Sequence, residues 1–234
     1  MSRYIPRPRP APAARPGPGP PSLGAGAIYP FGLDEILVRP FPIPAFWKRA
    51  YGLDVGWRKT AAIWGAHDPA ADIWYLYTEH YMGEERPVIH AEAIKARGAW
   101  IPGVIDPAAQ GRQQADGEQL IKMYRQLGLK LSPAENSVNS GLWICEQLFG
   151  IGRIKVFDTC RNWINEYQFY RRDEKGKIVK ENDHLMDAMP QFMRERHHIA
   201  RLAQIVQHDI GVHRGHRWVG KGPRRFARFD ARIN

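Results

Sequence analysis

The sequence predicts an α/β fold: one mixed β-sheet, an antiparallel meander continued by parallel strands, flanked by helices. Three observations carry that expectation. Three apolar, strand-like runs follow one another through short links between residues 50 and 82, and strands so closely spaced in sequence pair antiparallel. Strand-like and helix-like runs then alternate as far as residue 159, the pattern of strands connected through covering helices. The composition, 44% hydrophobic and 25% charged over 234 residues, supplies a core for one domain with tails.

The folded body begins near Lys48. AYGLDVGW (50–57) reads as a buried strand ending in a glycine turn, and TAAIWGAHD (60–68) as a second strand. DPAAD makes the next turn, and IWYLYTEHYM (73–82) is the third strand. RPVIHAEAIKARG (86–98) has helical spacing and a glycine stop. GVIDPAA (103–109) is a short strand broken by Pro107, and GEQLIKMYRQLG (117–128) an amphipathic helix with a glycine cap. LKLSPAEN (129–136) reads as strand and loop, SGLWICEQLFG (140–150) as a helix and IKVFDT (154–159) as a strand. WINEYQFYRRDEKGKIVKEN (163–182) reads as two polar, strand-like arms around a DEKG turn. DHLMDAMPQFMRERHHIARLAQIV (183–206) is mostly helical. Trp57, Trp64, Trp74, Trp100, Trp143 and Trp163 fall mostly on these elements and are expected in the core.

The flanks differ from the body. Twelve of the 19 prolines precede residue 45. Segment 1–22 is Pro/Ala/Gly/Arg low complexity, unable to pack a core and expected to be disordered. Segment 23–47 is expected to pack on the body as an irregular arm, 48–206 to form the folded domain, and 207–234 to be a basic tail. Charge follows the same division. Residues 1–22 carry Arg3, Arg7, Arg9 and Arg15 and no acid, and 194–234 carry ten Lys/Arg against Glu195, Asp209 and Asp230. The segment between holds 20 basic and 21 acidic residues. Basic ends on a neutral body point to a polyphosphate partner, with Arg214, Arg217, Lys221, Arg224, Arg225 and Arg228 as its expected DNA contacts. His208, His213 and His216, with His197 and His198, sit among arginines with no framing carboxylate or cysteine. They read as part of that tail rather than as a metal site.

Several classes are excluded. No run approaches the ~18 apolar residues of a membrane span, and the N-terminus has no apolar h-region. Cys145 and Cys160 are the only cysteines, which excludes a disulfide scaffold and a cysteine-built zinc site as organising features.

Three acids stand in unusual contexts. Asp54 lies inside an apolar strand, where an unpaired carboxylate is expensive. Asp106 ends the run VID before Pro107, at a strand edge. Asp187 lies in a helix one turn after Asp183, on the same face. Taken singly, Asp54 and Asp106 also read as turn acids, Asp183 as a helix N-cap and Asp187 as a solvated helix residue. Taken together, clustered carboxylates repel unless a cation binds them. A hard divalent ion is the natural occupant, and two such ions about 4 Å apart flank a phosphodiester in hydrolytic sites. Glu166 is expected to have a structural role.

At this point the sequence resembles a known family, the nuclease domain of the tailed-phage terminase large subunit. The matching stretches are RAYGLDVGW (49–57), WIPGVIDPAAQGR (100–112), YRQLGLKLSPAENSVNSGL (124–142), RIKVFDTC (153–160), the 163–184 run and DHLMDAM (183–189). The resemblance implies a ribonuclease H-like fold and metal-dependent cleavage of double-stranded DNA during genome packaging. It places the metal-binding acids on Asp54, Asp106 and Asp187, with Asp183 and His184 as auxiliary positions. Two Mg²⁺ or Mn²⁺ ions are implied, with Asp54 bridging both. A terminase ATPase, the small subunit and the portal are the implied protein partners. The implied setting is the host cytoplasm, transiently at the procapsid portal, with no membrane. Two departures follow. The family pattern continues DA-x-Arg-Tyr where this chain reads DAMPQF, and Pro190 removes the amide that would bond the Met186 carbonyl, so a kink is expected just after Asp187. No GxxxxGK(S/T) phosphate loop occurs, so the expectation is a nuclease half without its ATPase. The alternatives are a catalytically inactive DNA-binding or motor-docking module, or a ribonuclease H-like resolvase or integrase. The IDPAA and DHLMDA contexts argue against the last two.

Overall fold

The computed structural model describes residues 26–106, 114–134 and 138–196. Segment 1–22, the tail 207–234 with its six expected DNA contacts, the histidines from His197 onward and the stretch just after Asp106 lie outside the described residues.

The expected mixed sheet is present, with seven strands in the order β1-β7-β4-β3-β2-β5-β6. At its centre β2 (Lys48–Val55), β3 (Thr60–Asp68) and β4 (Ile73–Met82) form the antiparallel meander. Around it β5 (Gly103–Ile105), β6 (Leu131–Pro133), β7 (Ile154–Phe157) and β1 (Leu37–Val38) all pair parallel. The helices between them are α2 (Pro87–Lys95), α3 (Gln114–Gln126) and α4 (Val138–Gly150). The segment expected as an irregular arm contributes one helical turn, α1 (Leu33–Ile36), and the edge strand β1, with Tyr29 and Ile36 buried. Among the described residues no helix is long and apolar enough to cross a membrane.

Strand alternation divides the core in two. Tyr51, Leu53, Trp64 and Ile105 pack with Ile94, Ile121 and Tyr124 on one face. Ala50, Ile63, Leu76 and Val156 face the other, under Leu142, Cys145, Phe149, Trp163 and a final helix, α6, spanning 184–196. Both cysteines are free and buried.

Two expectations are corrected. The first polar arm of the 163–182 run is not a strand: α5 spans Arg161–Phe169. Trp163, Glu166, Tyr167 and Tyr170 are buried along one side of it, a helical i, i+3, i+4, i+7 stripe. Their aromatic content imitates strand composition, and the acid in the stripe masks its apolar period. What remains of the expected hairpin is one bridge, Arg172 to Ile178, around the turn closed by Gly176 N–H to Asp173 O. The second correction concerns tryptophan. Trp64, Trp74 and Trp163 are core residues, but Trp57 and Trp143 are 70% and 61% exposed. The chain stays helical past Pro190 to residue 196, and Pro190 is buried against α4, where a Cβ on Gly141 would meet the Pro190 Cβ at 3.0 Å.

Candidate functional site

Asp54 is the penultimate residue of β2, and Asp106 directly follows β5. The two strands pair parallel with Leu53 opposite Ile105, so both acids emerge one residue later at the same sheet edge, on strands about 4.8 Å apart. This is the C-terminal edge of parallel strands, where open α/β sheets gather their ligands.

The third acid arrives on α6, and glycine lets it approach. Gly52 shares the face of Asp54, two residues before it. A Cβ there would collide with the Ala188 carbonyl and crowd Phe192 Cδ1 at 3.2 Å, and one at Gly65 on β3 would lie 2.9 Å from the Phe192 ring. The missing side chains therefore set how closely α6 lies on the sheet. Gly52→Val should push α6 outward and cost roughly 1–3 kcal/mol through overpacking. The check is chemical denaturation of both proteins alongside the Asp54–His184 coupling measured by NMR titration of His184. Unchanged values for both would show that the close approach is unimportant.

The N-terminus of α6 is held by a second acid that does not face the solvent. Glu166 Oε2 accepts the Leu185 and Met186 amides at 2.6 and 3.2 Å, an N-cap supplied by another helix. Its own helix is capped in the same way from the sheet: Glu79 on β4 accepts from Asn162 N–H, Asn162 Nδ2 and Trp163 N–H at 2.9, 2.8 and 2.9 Å. Carboxylates thus link β4 to α5 and α5 to α6. Glu166 has the structural role expected of it. Burial pushes its carboxyl up to about 7 against the pull of the helix amides.

At the site itself, His184 Nδ1 and Asp54 Oδ2 are 2.8 Å apart. Burial raises the Asp54 carboxyl, and the His184 hydrogen bond and charge oppose the shift. That same hydrogen bond raises the His184 imidazole. Asp183 occupies the N-cap position before α6, and its carbonyl accepts the Asp187 amide at 2.7 Å. Lys180 Nζ donates to Asp187 Oδ1 and Oδ2 at 3.0 and 2.7 Å and lies 3.0 Å from Asp183 Oδ2. The reversal that folds Lys180 back over them passes through Asn182, at φ 49°, a conformation asparagine tolerates. The Asp187 carboxyl is pushed up to about 6, by burial first and then by Asp183 and Asp54, against the pull of Lys180.

A cleft of about 480 Å³ opens beside these groups, lined by Arg58, Lys59, Tyr81 and Lys180–His184. Lys59 Nζ stands 4.6 Å over the Tyr81 ring. Sequence reasoning missed Lys180, Arg58, Lys59 and Tyr81. The only local signal was GWRK directly after the strand that carries Asp54. The structure brings Asp54, Asp187, Asp183 and His184 together and sets Asp106 directly after the neighbouring strand β5. Among the described residues no three His, Cys, Asp or Glu side chains already enclose a metal-sized space. The donor set nevertheless suits a hard cation: carboxylates that raise one another's pKa have a counter-charge deficit, and a side-chain ammonium partly fills it.

Residues 52–196 match the family described as the terminase RNaseH-like domain. The terminase large subunit of Salmonella phage P22 is 33% identical over 178 residues, 72% of this chain and 35% of that protein. The chain thus spans about a third of that relative's length. The structure of the P22 large terminase nuclease domain matches with a TM-score of 0.70 at 31% identity, covering 79% of this chain and 99% of that one. The magnesium-bound nuclease of the large terminase from thermophilic phage G20c shares the fold at 14% identity, with a TM-score of 0.54, covering 74% of this chain and 98% of that one. A mixed seven-stranded sheet flanked by helices is the ribonuclease H-like fold the sequence resemblance implied, and the chain belongs to the terminase RNaseH-like domain family.

Proposed function

We propose that the chain is a divalent-metal-dependent endonuclease that hydrolyses double-stranded DNA during phage genome packaging. The observation that carries this reading is the pairing of a buried strand carboxylate, Asp54, with the helix carboxylate Asp187 at one sheet edge, in a chain related to a phage terminase large subunit. Asp54, Asp106 and Asp187 would hold two Mg²⁺ or Mn²⁺ ions, with Asp183 and His184 as auxiliary groups. When bound, the ions would polarise the phosphate and lower the pKa of a water.

The remaining work falls to the chain. Asp54 would help hold the ions, and its bond with His184 fixes the carboxylate orientation. Arg58 and Lys59 would hold phosphate oxygens at the cleft. Lys180, which donates to Asp187, would also offer its ammonium to a phosphate oxygen at the cleft. Arg214, Arg217, Lys221, Arg224, Arg225 and Arg228 would add sequence-independent phosphate contacts. An ATPase, the small subunit and the portal are the proposed partners, in the host cytoplasm.

One observation favours a second reading, a metal-free DNA-binding or docking module: Lys180 already neutralises Asp183 and Asp187. Plasmid cleavage separates the two. Supercoiled plasmid should be nicked and linearised with Mg²⁺ or Mn²⁺, and left intact in chelator, while binding persists. Deleting 207–234 should flatten the salt dependence of that binding by about 0.9 in log–log slope for each phosphate the tail neutralises. DNA binding with no cleavage under any divalent ion would establish the second reading.

A further inference from the structure

We propose that Trp57 is a wedge that stacks on a base next to the phosphodiester at Asp54, so that cleavage favours base steps that open easily. The inference rests on the nuclease reading above and adds a residue that selects where the strand is cut.

Trp57 is 70% exposed, whereas Trp64 and Trp74, on the next two strands, are 0% and 2% exposed. An indole left in water forgoes the burial that makes tryptophan useful to a core. Its location is also specific. Trp57 is three residues beyond Asp54, at most about 11 Å of extended chain, which is about three base steps along a strand at 3.4 Å each. That spacing keeps the ring within reach of bases flanking a phosphate held at Asp54, and the cations that follow it line the cleft beside the site.

The turn carrying it is fixed. Trp57 O accepts the Glu84 amide at 2.9 Å, and Thr60 Oγ1 donates to Gly56 O at 3.1 Å. A Cβ on Gly56 would lie 2.8 Å from the Lys59 carbonyl, and one on Gly83 would overlap the Arg58 carbonyl. Glu84, at φ 58°, completes the turn that presses from the other side. The backbone under the exposed ring therefore loses little freedom on binding.

Charge selects the occupant. Arg58 and Lys59 follow Trp57 directly and line the cleft with Lys180, while Glu181 and Asp183 are its acids. An exposed aromatic followed by two cations, beside a carboxylate pair suited to metal, matches a nucleic acid strand: bases for the ring, phosphates for the cations. In a duplex the bases are already stacked, so the ring must open a step, and pyrimidine–purine steps open at least cost.

The test compares wild type, Trp57→Ala and Trp57→Phe on a duplex containing one TA step. Binding is measured in chelator and cleavage in Mn²⁺. Subtracting the emission of Trp57→Phe from that of wild type isolates the signal of Trp57. DNA should quench that difference signal and shield it from acrylamide. Trp57→Ala should bind about tenfold more weakly with an unchanged salt slope, since stacking is removed and the phosphate contacts stay. Trp57→Phe should recover most of the affinity. In cleavage maps, Trp57→Ala should lose the preference for TA and CA steps that wild type and Trp57→Phe retain. DNA binding by wild type with the difference signal unmoved would overturn the wedge alone and leave Trp57 to a protein partner. Wild-type affinity and cleavage pattern in Trp57→Ala would also overturn it. Failure of wild type to bind DNA at all would overturn the nuclease reading and the wedge with it.

Discussion

Asp54→Asn should abolish divalent-dependent plasmid cleavage, by about a thousand-fold or more, without unfolding the protein. A loss of that size corresponds to ~4 kcal/mol of transition-state stabilisation, the scale expected when a carboxylate that would hold metal is removed from the proposed site. The fold should survive because asparagine has the same shape and its carbonyl still accepts from His184. In chelator the variant should be as stable as wild type or more so. Burial already raises the Asp54 carboxyl, so its ionised form is a cost to the metal-free protein at neutral pH. The rise in Tm that Mg²⁺ or Mn²⁺ gives wild type should disappear. Cleavage at near wild-type rate by the folded variant would remove Asp54 from the site.

Asp187 supplies the pH dependence of the same experiment. Its carboxyl is raised to about 6 from an ordinary 3.8, so the metal-free folded state prefers the protonated acid. Stability relative to Asp187→Asn should therefore fall as pH rises from about 4 through about 6, and metal binding should strengthen over the same interval. Asp183→Asn should impair cleavage less than Asp187→Asn, since Asp183 occupies the cap position. The reverse order would move the helix ligand one turn toward the N-terminus.

The parts of this arrangement differ in how far they could be read from the chain. β2, β3 and β4 were legible because each is a run dominated by apolar and aromatic residues and bounded by turn residues. Asp54 and Asp106 were legible because a carboxylate in or against such a run conflicts with its surroundings. The helix α5 was not, since Glu166 sits on its buried face and interrupts the apolar stripe. Gly52 gave no sign of its role, which depends on the carbonyl of Ala188 more than a hundred residues later. Lys180 likewise lies in a polar run that reads as solvated. Only the reversal at Asn182 turns it onto Asp183 and Asp187.

Glu166 is where fold and site meet, and its substitutions should separate stability from chemistry. Glu166→Ala should cost about 2–4 kcal/mol in chemical denaturation, because two amides of α6 lose their acceptor inside the core. Glu166→Gln keeps an acceptor oxygen for those amides and should retain most of the stability. It should also remove a pH dependence. The Glu166 carboxyl is raised from 4.5 to about 7 by burial, so the folded protein holds a proton that the unfolded chain has released. Wild-type stability relative to Glu166→Gln should be greatest below about 4.5 and fall as pH rises through about 7. Glu166 is buried, and it fixes the turn that carries His184 and Asp187. Glu166→Ala should therefore weaken Mn²⁺ binding in calorimetry while Asp54, Asp106 and Asp187 are all present, and excess Mn²⁺ should restore much of the cleavage. Glu166→Gln should bind Mn²⁺ nearly as wild type does. Loss of cleavage in Glu166→Gln that excess metal cannot restore would show that the carboxylate acts on the substrate or its ions directly.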